Sequence, residues 1–142
     1  SARGKERAQA LHLLFEKSEN RPDPFPKPDF IFAAKDSKRS HRARMTVVPL
    51  AANLGLTINS DFANEKESKL AEELFKPKYA GQTILISWHH STAQSLAHEL
   101  KVAHAPKWKE EYDRVWEITY DEDRKATFRI HPQQLLPQDS QK

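Results

Sequence analysis

No cysteine occurs anywhere in the chain, which excludes a disulfide framework, a zinc ribbon and a thiol nucleophile together. Without that redox marker the compartment stays open, and the cytoplasm stands only as a default. Long apolar runs are missing too. None approaches the roughly 20 residues that a membrane-crossing helix needs, and Ser1-Ala2-Arg3-Gly4-Lys5-Glu6-Arg7 lacks the apolar core of a signal peptide. A membrane is therefore not an expected partner. Nor does the chain open on methionine; cleavage, a tag remnant and loss of an upstream segment are the three origins open to Ser1. A sustained basic run is also absent: the formal charge is +3, with Lys and Arg interspersed among Asp and Glu. A nucleic-acid surface wants a basic stripe with interleaved stacking aromatics. Here the aromatics sit inside apolar blocks, so nucleic acid is not expected, while the mild positive excess suits a small anion.

What is present fits one domain spanning residues 1–142, long enough to bury a core and too short for two ordinary ones. A mean hydropathy of −0.82 is polar for a globular chain, but the apolar residues are gathered into blocks at regular intervals, which argues for a folded core.

Ala8, Leu11, Leu14 and Phe15 recur at three- and four-residue spacing, which predicts a helix over residues 6–17 with Gly4 outside it. Pro22, Pro24, Pro26 and Pro28 then forbid helix and interior strand over residues 18–29. Phe30-Ile31-Phe32-Ala33-Ala34 reads as a short strand covered on both faces. A polar basic stretch, residues 35–44, leads into a helix over 45–54, with Pro49 in its first turn or at a kink and Gly55 as its stop. Residues 56–59 form a short strand. Asn64 and Glu67 have the spacing of a capping box ahead of a helix running to about residue 76. Residues 82–88 read as the central strand, and Ala93, Leu96, Ala97 and Leu100 mark the next helix. Residues 114–120 and 126–130 alternate as a hairpin about the turn at 121–124. Residues 132–142 read as a flexible tail.

This alternation of helix and buried strand predicts an α/β class, a three-layer α/β/α sandwich with a largely parallel central sheet and an antiparallel pair near the end. Sites in such folds lie at the carboxyl ends of strands. There the first long strand releases Ser37, Lys38, Arg39, His41, Arg42 and Arg44, and the strand at 82–88 releases His89 and His90 at a helix entrance. Guanidinium binds phosphate oxygens in pairs, imidazole exchanges protons near neutrality, and helix N–H groups attract anions. A lone strand-end histidine more often bonds to backbone, and a basic loop is commonly just solvated; the convergence of the two segments is what points to phosphate.

Several stretches carry a further resemblance. Arg42-Ala43-Arg44-Met45-Thr46, continued by Pro49-Leu50-Ala51 and Leu54-Gly55-Leu56, resembles the Arg-Ala-x-x-Thr element of the histidine phosphatase superfamily, the phosphoglycerate mutase-like proteins. Thr83-Ile84-Leu85-Ile86-Ser87-Trp88-His89-His90 is similar to that family's second histidine motif, Arg7-Ala8-Gln9-Ala10 to the opening of its first helix, and Tyr112-Asp113-Arg114-Val115-Trp116 to its closing strand. The resemblance covers nearly the whole chain in order and spacing. It implies phosphoryl transfer through a phosphohistidine, with His90 in the catalytic role of stabilising the transition state. Arg42 would clamp phosphate oxygens, and His89 and Ser37 complete the candidate substrate-binding set. The implied partner is a small-molecule phosphate ester or inorganic phosphate, with no cofactor and no metal. Two departures stand out. Ser91 replaces the family's glycine, and no strand ending in Arg-His-Gly or Arg-His-Ala is present. The expected domain is thus one whose first strand, with the nucleophile, is missing from this chain.

The competing readings are a phosphate-binding module without turnover and, last, weak nucleic-acid binding through net charge. His89, His90, His98 and His104 match no compact metal-ligand spacing. Trp88, Trp108 and Trp116 are more simply packing residues than a ligand cleft.

Overall fold

The computed structural model describes residues 1–142. The first helix, α1 (Ala2–Ala10), starts earlier than the apolar spacing predicts, because the Ser1 hydroxyl caps it by accepting the Gly4 N–H at 3.0 Å. Leu11–Phe15 then tightens into a 3-10 turn, which buries Leu11, Leu14 and Phe15. After the proline-rich connection come β1 (Phe30–Ala33), α2 (Arg42–Leu54), β2 (Ile58–Asn59), α3 (Glu67–Leu74), β3 (Ile84–Ser87) and α4 (His90–Glu99). The chain closes with β4 (Arg114–Tyr120) and β5 (Ala126–Pro132). The class is mixed α/β: β2, β1 and β3 form a parallel sheet in that order, and β4 and β5 form a separate antiparallel pair.

Side-chain alternation along β1 divides the core. Ile31 and Ala33 pack with Leu11, Leu14 and Phe15 of the 3-10 turn that follows α1 and with Val47, Leu50 and Ala51 of α2. Phe32 points the other way, into Leu70, Ala71, Tyr79, Leu96 and Leu100, which belong to α3, α4 and the turn between α3 and β3. A strand buried on both faces needs a continuous apolar run, which is what Phe30 to Ala34 supply.

Four further expectations change. The central strand is β1, and β3 lies at the edge, with each of its four residues only half-buried. Thr83 and Ser87 carbonyls accept from β1 and its flanks, so the main-chain groups of Ile84 and Ile86 face the open side. Second, α2 begins at Arg42, three residues before the predicted start, which leaves Pro49 in its interior. The proline removes the donor for the Met45 carbonyl, and that cost falls on an exposed face where solvent supplies a partner: Met45 is 51% exposed. Third, the capping box does not form. Asn64 accepts from the Thr92 hydroxyl and Glu67 from the Ser95 hydroxyl at 2.8 Å, so both side chains tie the start of α3 to α4. The N-cap position of α3 falls to Lys66, without a side-chain bond. Fourth, in the stretch read as a flexible tail, residues 132–142, Gln133 and Asp139 are buried, and Arg7 of α1 donates to both at 2.7–2.9 Å. Sequence periodicity cannot reveal this contact, because its partners lie 126 and 132 residues apart.

Candidate functional site

The parallel register of β1 with β3 sets Ala33 beside Ser87, so the two strands end level. At that edge the Ser87 hydroxyl donates to the Ala43 carbonyl at 2.6 Å, fastening the end of β3 to the first turn of α2. Arg42 and the His89–His90 pair are thereby brought to one place, although 47 residues of sequence separate Arg42 from His89. His89 is the N-cap residue of α4 and His90 its first residue. The entrance is fixed by the Trp88 indole N–H, which donates to Thr92 Oγ1 at 2.9 Å, and by Thr92, which donates onward to Asn64.

The charges here are unbalanced. His89 is pushed below its ordinary value of 6.5 by burial first, then by the neighbouring His90 and Arg42, which places the three groups within electrostatic reach of one another. Arg42 meets no carboxylate. Its Nη1 donates to the Tyr112 phenol oxygen at 3.0 Å, and its guanidinium lies 5.4 Å from the ring centroid. The same ring stands roughly perpendicular to the His90 imidazole, with centroids 6.4 Å apart. Arg3, Arg7, Arg44 and Arg114 each end on a carboxylate. Arg42 thus keeps its charge available to an incoming anion.

Other candidates from the same loop are otherwise engaged. Arg44 Nε and His41 Nδ1 share Asp36 Oδ2 at 2.9 and 3.0 Å. Burial works to raise the Asp36 carboxyl, but the bonds from Arg44 and His41 prevail and hold it below its usual range. Ser37 accepts the N–H groups of Arg39 and Ser40 at 3.3 and 3.1 Å. It bonds inside its own turn and to none of Arg42, His89 or His90. Tyr112, by contrast, enters the site from the bend just ahead of β4, a position to which no local pattern assigns chemistry. Two grooves, of about 170 and 190 Å³, lie at the opposite end of α2 around His12, Leu50 and Asn53.

The depressed His89 has a consequence for stability. Between its folded value and 6.5 the unfolded chain binds more protons, so stability is complete above 6.5 and falls as the pH drops through that window. Denaturant midpoints measured from pH 8 to pH 5 should decline, and His89→Asn should flatten the decline. An unchanged slope in the variant would show that another group is responsible.

No family model, curated protein or solved structure matches this chain.

Proposed function

We propose that this domain handles phosphate esters in the manner of the histidine phosphatases, with Arg42 and His90 as its phosphate-facing groups. The observation that carries the reading is the junction of β3, α2 and α4. It gathers one arginine and two histidines with no carboxylate among them, as a dianionic phosphoryl group requires. Arg42 offers paired N–H donors to two phosphate oxygens. His90, at the start of α4, adds an N–H and the field of the helix to the charge that spreads over the oxygens during transfer. In such a transfer a nucleophile bonds to phosphorus as the ester P–O bond breaks, and a proton goes to the departing oxygen. The accepting histidine is not among these residues, since no Arg-His pair occurs in the chain. The open side of β3 supports the finer reading of a phosphoglycerate mutase-like sheet, in which another strand pairs there and brings that histidine to His90.

These 142 residues alone are therefore expected to bind inorganic phosphate without turnover. At tenfold excess over Kd, binding stabilises the fold by about 1.4 kcal/mol, or roughly 3–5 °C in Tm for a domain of this size. Arg42→Ala should abolish the shift. A shift of equal size in Arg42→Ala would remove the assignment. A permanent binding module for a phosphorylated ligand is the second reading, favoured by the absent nucleophile. The two separate when a strand ending in Arg-His is joined to the chain: hydrolysis of an aryl phosphate that is lost in His90→Ala marks the phosphatase, and binding without hydrolysis marks the module.

A further inference from the structure

We propose that Tyr112 regulates occupancy of this anion site, its phenol oxygen holding the place on Arg42 that a phosphate oxygen takes when ligand binds. The inference rests on the phosphate reading and adds a residue and a competition to it. Arg42 donates to the phenol oxygen at 3.0 Å, and the phenol O–H in turn donates to Glu110 Oε1 at 3.1 Å. The carboxylate polarises the phenol into a better acceptor while standing one group away from the guanidinium. Arg42 is thereby satisfied by a neutral oxygen. A phosphate oxygen is the stronger partner for a guanidinium, because the bond is then charge-assisted at both ends. Exchange between the two is downhill for the ligand and costs the empty site only one hydrogen bond to an uncharged oxygen.

The surroundings make that exchange a side-chain movement. Tyr112 is 45% exposed, whereas the backbone around it is held: the Trp108 indole donates to the Glu111 carbonyl at 3.0 Å, and Asp113 accepts from the Gln133 and Ser140 N–H groups at 2.8 Å. Rotation about the Tyr112 side-chain bonds frees Arg42 and moves the ring away from His90, with no main-chain bond broken. The neighbouring Arg44 provides the contrast. Its partner is the Asp36 carboxylate, an anion already, so a phosphate gains nothing by displacing it. Of the two arginines in the first turn of α2, only Arg42 carries a replaceable partner.

The test uses the full chain with Tyr112→Phe, which keeps the ring and removes the phenol, and Tyr112→Ala, which removes both. Two quantities are read: the Kd for inorganic phosphate, and the rate at which phenylglyoxal, an arginine-specific dicarbonyl, modifies Arg42, followed by mass spectrometry of the peptide that carries it. Tyr112→Phe should bind phosphate about three- to tenfold more tightly, the equivalent of deleting one competing, solvent-exposed hydrogen bond. Arg42 should be modified severalfold faster in both variants, and phosphate should slow the reaction in all three proteins. If phosphate binds and protects Arg42 but neither affinity nor labelling changes in the variants, or affinity falls, the role of Tyr112 is overturned and the phosphate site stands. If labelling accelerates in the variants but phosphate neither binds nor protects, the phosphate reading fails and takes the proposed occupant with it.

Discussion

Asp139→Ala is expected to remove about 3–5 kcal/mol of stability, the cost of leaving a buried cation without its partner. Arg7 is 9% exposed and Asp139 6%. Their two charge-assisted bonds, at 2.7 and 2.9 Å, are joined by a third from Arg7 to Gln133 at 2.9 Å, and Gln133 itself donates to the Arg114 carbonyl at 2.9 Å. The Leu135 and Leu136 N–H groups close the remaining side of the carboxylate at 3.0 and 3.2 Å. Removal of Asp139 therefore strands Arg7 and two backbone donors together. The half-exposed Arg3, at 3.3 Å from the same carboxylate, contributes little, because solvent screens it. Urea unfolding measures the loss directly. A change below about 1 kcal/mol would mean that residues 133–142 do not dock on α1 in solution. Replacing both partners, as in Arg7→Met with Asp139→Leu, should recover most of the loss, since desolvation offsets much of what a buried pair contributes.

The same carboxylate predicts acid sensitivity. Hydrogen bonds from Arg7 hold Asp139 well below the ordinary carboxylate range, against the upward pull of burial and with help from the Leu136 and Leu135 N–H groups. Unfolded, the group titrates near 3.8. A depressed folded value gives stability that is complete above the unfolded one and lost as the pH falls toward the folded one. The wild type should weaken progressively below about pH 4, and Asp139→Ala should lose that part of the acid response.

Phe32→Ala is the second large effect, at about 3–5 kcal/mol. Phe32 is 2% exposed at the middle of the central strand, with Phe62 and Tyr79 rings against it at 6.3 and 5.8 Å between centroids. It also shares a cluster with Leu96 and Leu100, on the helix that opens at His90. The cavity left by alanine thus lies beneath α4, and packing cannot close it without moving that helix. Against the 5–15 kcal/mol typical of a whole domain, such a loss leaves a marginal fold. Hydrogen exchange should show the amides of α4 losing protection along with those of β1. The neighbouring Ile31→Val, which removes one methylene from the opposite face, should cost only about 0.5–1.5 kcal/mol. Similar costs for the two variants would argue against the split of the core into two faces.

The hairpin of β4 and β5 was legible because alternation, β-branched and aromatic residues and the acidic turn at 121–124 all act within a few residues. The same holds for β1, bounded by breakers, and for the apolar stripe of α4. The polar residues that follow the two strands, Ser37 to Arg44 and the pair His89 and His90, were also legible as groups suited to an anion. Which of them meet depended on distant partners. Only the packed chain sets Ser87 against Ala43, fixing Arg42 beside the histidines while Ser37 turns back on itself and Arg44 is taken by Asp36. The sequence pattern of β3 could not say that it ends the sheet, because a strand's period reports which faces are covered and not how many neighbours bond its edges. Nothing in the local sequence says that Arg7 is buried while Arg3 stays half-exposed. Local periodicity by itself determined the elements and the chemistry on offer. The tertiary structure decided which charges are neutralised and which stay available, because burial and pairing are set by partners that no local pattern names, from Asp36 for Arg44 to Asp139 for Arg7.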